Sequence, residues 1–65
     1  MLFYYYDYIL IQKYIKISEV NENTIIVNLK DYSFKISGNF LKITYFSKEE
    51  MKIEGEIKTI EILYE

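Results

Sequence analysis

The residues best suited to chemistry are five glutamates and three lysines crowded into the stretch SKEEMKIEGEIKTIEI. They are Glu49, Glu50, Glu54, Glu56 and Glu61, interleaved with Lys48, Lys52 and Lys58. Paired carboxylates could serve acid–base catalysis across a cleft, or hold a hard cation such as calcium around a tight turn. The interleaved lysines instead indicate a neutralised, solvated strand face, and the chain has no histidine or cysteine to complete a site. We therefore predict no catalytic residue, no metal and no cofactor.

A second unusual segment is the run Tyr4-Tyr5-Tyr6-Asp7-Tyr8. Successive side chains of a strand point to opposite faces, so a strand here would carry aromatic groups on both. Because tyrosine is enriched at interfaces, we expect Tyr4, Tyr5, Tyr6 and Tyr8 to anchor a partner chain by strand addition. The alternatives are a strand covered on both sides, a frayed chain end and a stacking platform for single-stranded nucleic acid. The absence of arginine and a net charge of −2 count against nucleic acid.

Length and composition limit the chain to one small domain, residues 1–65. A domain of about 60 residues buries only about 60% of its unfolded surface, and there is no disulfide to reinforce it. We therefore expect a homo-oligomer or a chain stabilised by a partner. The apolar start, MLFYYYDYILIQ, has no basic flank and falls short of the roughly 20 residues of a spanning helix. We expect a cytoplasmic protein without direct membrane insertion, and the richness in Lys, Ile, Asn and Tyr suggests a low-GC bacterium.

Hydrophobic residues alternate with a period of two, which predicts an all-β fold. The predicted strands are residues 4–12, 14–18, 24–30, 32–37, 40–46, 50–54 and 57–64, with an aromatic N-terminal strand within 1–12 and hairpins over 32–64. Turn signals separate them at Asn21-Glu22-Asn23, Lys30-Asp31, Gly38-Asn39, Ser47 to Glu50 and Gly55-Glu56. The sequence thus predicts a small antiparallel meander, or curved sheet, of about six to seven short strands.

Side-chain parity supports the hairpins, because facing residues of a two-residue hairpin share a face. Around Lys30-Asp31, Val27 meets Phe34 and Ile25 meets Ile36. Gly38 and Gly55 each stand first in a predicted two-residue loop, as a type II′ turn requires, so both are expected at φ > 0. The dry face of the last hairpin is predicted to consist of Met51, Ile53, Ile60 and Ile62.

A short β-solenoid is the competing fold. FKISGNF, from Phe34, recurs as MKIEGEI, from Met51, and a fixed period is typical of stacked repeats. Parity favours the meander, since register is strongly specified where one face is buried.

The second half of the chain resembles the YabP/YqfC family of sporulation proteins. The matching segments are FKISGNFLKI (34–43), SKEEMKIEGEI (47–57) and KTIEIL (58–63), with YILIQ (8–12) and NTIIVNL (23–29) fitting more loosely. Thr59 stands where the family more often has Ser, and the aromatic N-terminus is not part of its pattern. The resemblance implies a cytoplasmic, mother-cell protein linked to spore envelope or cortex formation, with a sporulation protein, in the membrane or outside it, as its partner. It carries over no catalytic residue.

The leading expectation is therefore a non-enzymatic, sporulation-associated protein that acts by protein–protein binding. The second is a self-assembling β structural subunit that forms a filament or oligomer. The third is a single-stranded nucleic-acid-binding barrel.

Overall fold

The computed structural model describes residues 1–64 and folds them into one antiparallel sheet of six strands. The strands are β1 (Leu2–Tyr4), β2 (Tyr8–Gln12), β3 (Lys16–Val20), β4 (Thr24–Asn28), β5 (Tyr32–Phe46) and β6 (Glu50–Tyr64). Their order in the sheet is β1-β2-β6-β5-β4-β3. Strands β3 to β6 form a meander, and the β1–β2 hairpin is added along β6. The prediction of an all-β antiparallel meander is confirmed, and residues 1–64 contain no helix.

The two longest strands, β5 and β6, each run for 15 residues, so different segments of them pair with different neighbouring strands. Residues 32–37 of β5 pair with residues 59–64 of β6, and from Ser33 onward they also pair with β4. Residues 50–54 of β6 pair instead with β2 and with residues 42–46 of β5. We call β1, β2 and these latter segments the first half-sheet, and β3, β4 and the former segments the second half-sheet.

The core consists of the faces that the two half-sheets turn toward each other. It contains Ile9, Ile11, Met51 and Ile53 from the first half-sheet and Ile25, Val27, Phe34 and Ile36 from the second, each at most 7% exposed. Strands β2 and β4 both alternate between buried and half-buried residues, as a strand with one face in the core must. Burying each such isoleucine contributes about 1.5–3 kcal/mol, which makes this contact the main source of stability.

Several predicted turns and pairs are confirmed. Val27 lies opposite Phe34 and Ile25 opposite Ile36, and the turn between β4 and β5 closes through Leu29 N–H donating to Tyr32 O at 2.8 Å. Ser47 to Glu50 form the polar turn between β5 and β6, where Ser47 N–H donates to Glu50 O at 2.9 Å.

The prediction of two-residue hairpin turns at Gly38 and Gly55 is wrong. Gly38 lies inside β5 and Gly55 inside β6, so residues 32–64 form one long hairpin and not a series of short ones. Gly55 does have a positive φ, of 137°, but Gly38 is not among the residues at positive φ. The register between the two strands shifts between Ser37 and Gly38 and again between Asn39 and Lys42. Such bulges bend paired strands, and here they turn one half-sheet onto the other.

The predicted single strand over residues 4–12 is also wrong. The chain folds back on itself, so that Leu2 pairs with Ile11 and Tyr4 with Ile9, and Tyr6 and Asp7 lie in the turn between them. A continuous strand over residues 4–12 would direct apolar side chains to both faces of the sheet, and a small core can cover only one of these faces. Folding back instead places Leu2 against the core.

The repeat of FKISGNF as MKIEGEI marks the two half-sheets and does not form rungs of a solenoid. Ile36 pairs with Ile25 in the second half-sheet, and Ile53 pairs with Ile9 in the first. The predicted dry face of the last hairpin is correct for Met51 and Ile53, which are 0% exposed, but wrong for Ile62, which is 49% exposed. Ile62 lies in the part of β6 that β2 does not reach.

Candidate interaction surfaces

The β1–β2 hairpin presents a pair of stacked tyrosines. The turn is closed by Tyr5 N–H, which donates to Tyr8 O at 2.9 Å. The two rings stack with their centroids 4.6 Å apart and their planes 22° from parallel. Rings in this arrangement are held rigidly at little entropic cost, which suits them to act as contact residues.

The stack continues into charged groups on β6. Lys52 Nζ lies 4.4 Å from the centroid of the Tyr8 ring and 3.7 Å from Glu54 Oε2. The same Glu54 oxygen accepts a hydrogen bond of 2.7 Å from the Thr44 hydroxyl on β5. Tyr8, Lys52, Glu54 and Thr44 therefore form a continuous row across three strands of the first half-sheet.

The hydrogen bond from Thr44 holds the pKa of the Glu54 carboxyl below its ordinary value, and the positive charges of Lys52 and Lys42 act in the same direction. Glu54 thus remains an anion whose charge is compensated by its neighbours. This row confirms the expectation of a neutralised strand face for this part of the stretch.

The four tyrosines predicted to anchor a partner do not form a single row. Tyr5 and Tyr8 share the outer face with Phe3 and Leu10, since Phe3 pairs with Leu10 and faces alternate along a strand. Tyr4 lies on the opposite face, beside Ile9. Tyr6 is in the turn and is 101% exposed, so none of the other residues that the structure describes buries its ring.

A shallow groove beside the β5–β6 turn brings together charges of both signs. It is lined by Gln12, Lys13, Tyr45, Ser47, Lys48, Glu49 and Glu50. Gln12 Nε2 donates to Glu50 Oε2 at 3.2 Å, and Lys13 N–H donates to Glu49 O at 3.0 Å. The Tyr14 hydroxyl donates to Ser47 O across the end of the groove. Its polar groups hold the turn in place, and the groove offers a ligand scattered hydrogen bonds and no concentrated charge.

The predicted glutamates do not converge on a single point. Glu54 faces the Thr44–Lys52 row, Glu49 and Glu50 line the groove, and Glu56 accepts a hydrogen bond from Asn39 Nδ2 at 2.7 Å. Within residues 1–64, no three acidic, histidine or cysteine side chains stand close enough together to hold a metal ion.

The sequence did not single out the exposed apolar groups of β5 and β6. Phe40 is 75% exposed, Phe46 is 60% exposed and Tyr64 is 78% exposed. Phenylalanine and tyrosine favour strands as strongly as the residue types of the core do. Only the pairing of the strands therefore shows that these three side chains lie outside the core.

No family model, curated protein or solved structure matches the chain. In the part of the chain that the structure describes, no helix is long and apolar enough to cross a membrane.

Proposed function

We propose that the chain is a non-enzymatic binding module that recognises a partner protein through its β1–β2 hairpin. The observation that carries this proposal is the exposure of Tyr6, together with the Tyr5–Tyr8 stack beside it. A fully exposed ring at the tip of a hairpin gains nothing from burial in the monomer, whereas aromatic anchors dominate the energetics of many interfaces.

The surroundings of the hairpin suit a protein partner. Phe3 and Leu10 extend the apolar surface beside the stack, and the Lys52–Glu54 pair supplies charges of both signs at its border. An apolar centre with a polar rim is the usual anatomy of a protein–protein interface.

The biological setting that we propose is formation of the spore envelope or cortex in the mother cell of an endospore-forming bacterium. It rests on the resemblance of residues 34–43, 47–57 and 58–63 to the YabP/YqfC family. The binding proposal depends on the β1–β2 hairpin alone and does not require the sporulation setting.

Site-specific photo-crosslinking tests both parts. A photoreactive phenylalanine derivative replaces Tyr6, and in a matched control it replaces Lys30, which is exposed in the turn between β4 and β5. Both variants are expressed in sporulating and in vegetative cells of an endospore former. We expect one adduct of defined mass from position 6, in sporulating cells, and none from position 30. An adduct in both growth states would overturn the sporulation setting, and no adduct specific to position 6 would overturn the binding proposal.

A second candidate, self-assembly through an exposed strand, is favoured by the unpaired edge of β6.

A further inference from the structure

The end of β6 has an unpaired edge. Strand β2 pairs with β6 from Glu50 to Glu54 and no further. Among residues 1–64, Ile57 and residues 59–64 pair only with β5, on their other side, and Lys58 lies at a register shift. Their outward backbone groups are therefore free to bond with another strand, and we call this segment the β6 edge.

The other free edges of the sheet carry features that discourage pairing. Strand β1 is only three residues long. Strand β3 contains Lys16 and Glu19 and has a bulge between Ile17 and Glu19. The end of β5 has a register shift between Ile43 and Tyr45. Brevity, charge and bulges are the usual protections of an edge strand.

Along residues 59–64 the β6 edge is neither short nor bulged, and its one charged residue is Glu61. Its pairing with β5 is regular from Thr59↔Ser37 to Tyr64↔Tyr32. Ile60, Ile62 and Tyr64 lie on the core face, because they pair with Ile36, Phe34 and Tyr32. Their exposure rises outward from the core: Ile60 is half-buried, Ile62 is 49% exposed and Tyr64 is 78% exposed. The apolar face of the second half-sheet thus continues up to a free edge that no strand within residues 1–64 covers.

We propose that a second copy of this chain pairs with the β6 edge, antiparallel and about a two-fold axis, so that the two second half-sheets become one continuous sheet. Such an axis lays the same apolar row of each copy beside its equivalent, which is what a self-complementary interface requires. Strand addition of this kind draws affinity from main-chain hydrogen bonds and specificity from alternate side chains.

The charges of the edge favour a second copy in this orientation. Residues 57–64 carry one basic residue, Lys58, near the start and one acidic residue, Glu61, further along. Antiparallel pairing with Thr59 opposite Glu61 separates the equivalent charges of the two copies, whereas parallel pairing in register would set like charges side by side. The inference does not depend on the β1–β2 hairpin, which lies in the other half-sheet.

Sedimentation velocity at tens to hundreds of micromolar tests the proposal on the full chain. We expect a species of twice the 7.9 kDa chain mass. Ile62→Lys should weaken the dimer by roughly 100-fold or more, because the paired sheets would enclose two unpaired charges. The matched control is Val20→Lys on β3, since Val20 is 54% exposed and so comparable to Ile62. It should leave the dimer intact, and circular dichroism of each variant checks that the fold is retained.

Cysteine crosslinking gives a second measurement that requires no destabilising charge. The chain has no cysteine of its own, so single cysteines at Thr59 and Glu61 report only on the edge. Mixed together under mild oxidation, they should form intermolecular disulfides faster than Val20→Cys does. A wild-type chain of 7.9 kDa throughout the concentration range would overturn the proposal. An Ile62→Lys dimer as tight as that of the wild-type chain would also overturn the proposal. Crosslinking at the edge no faster than at position 20 would have the same consequence.

Discussion

Gly38 faces the backbone of Glu56 so closely that a Cβ on Gly38 would stand 1.9 Å from the Glu56 carbonyl oxygen. Gly55 is in the corresponding position on the other strand, where a Cβ would meet the Phe40 carbonyl oxygen at 2.6 Å. The two glycines therefore allow β5 and β6 to approach each other at the bend between the half-sheets. Glycine is required at both positions because the two backbones are in contact there and, at Gly55, also because φ is positive.

Alanine at either glycine should destabilise the fold. We expect Gly38→Ala and Gly55→Ala each to lower the free energy of unfolding by about 2 kcal/mol or more, since in both cases the added methyl group would collide with backbone atoms and not with a flexible side chain. Denaturant melts against Thr59→Ala, an exposed position on the same strand as Gly55, provide the measurement. A Gly38→Ala protein with the midpoint of the control would show that the two backbones do not meet there.

Truncating the core should cost more than truncating an equally large surface residue. Ile53 is 0% exposed, whereas Ile15 is 64% exposed. We expect Ile53→Ala to lose about 2–5 kcal/mol of stability because it leaves a cavity between the half-sheets, and Ile15→Ala to lose about 0.5 kcal/mol or less. Urea unfolding followed by tyrosine fluorescence distinguishes the two. Equal losses would argue against a core between the half-sheets.

The ionisation of Glu54 should depend on Thr44. Its folded pKa is lowered from an ordinary value of 4.5, first by the Thr44 hydrogen bond and then by Lys52 and Lys42. The contribution to stability is therefore complete above pH 4.5 and is lost as the pH falls through the folded pKa. Thr44→Val should raise this pKa toward its ordinary value. Carboxyl ¹³C titration by NMR measures the change, with Ser47→Ala as a control that leaves the partners of Glu54 in place.

Two tyrosines of the β1–β2 hairpin should differ in their importance for folding. Tyr8 stacks on Tyr5 and lies under Lys52, whereas Tyr6 is wholly exposed. We expect Tyr8→Ser to cost about 1–2 kcal/mol and Tyr6→Ser to have an effect within about 0.5 kcal/mol. Thermal melts of both variants give the comparison. A large loss from Tyr6→Ser would mean that its ring packs within the monomer.

The sequence was sufficient to predict β4, the first part of β5 and the register between them. Val27 faces Phe34 across a two-residue turn, and such local pairing follows directly from parity. The glycines could not be placed in the same way, because Gly-Asn or Gly-Glu between apolar runs is compatible with a hairpin turn and with a bulged crossing alike. The pairing of β2 with β6 decides between the turn and the bulged crossing. It joins segments far apart in the chain, so no local sequence pattern encodes it.

The candidate surfaces were predictable only in part. The clustered tyrosines could be recognised from their types, but their division among a stack, a turn and the opposite face follows from the chain folding back after Tyr4. Ile62 could be assigned to the core face by its period. Its exposure could not be predicted, because that depends on where β2 ends along β6.

The pairing of β2 with β6 also has a consequence for synthesis on the ribosome. Among the described strands, the β1–β2 hairpin is synthesised before β6, the strand that completes its ladder. Until then Ile9 and Ile11 have no partner on that side, and a topology that joins distant segments folds slowly. Between the synthesis of β2 and that of β6, the nascent chain therefore carries an apolar hairpin without its ladder partner, which exposes it to chaperones and to premature association with neighbouring chains.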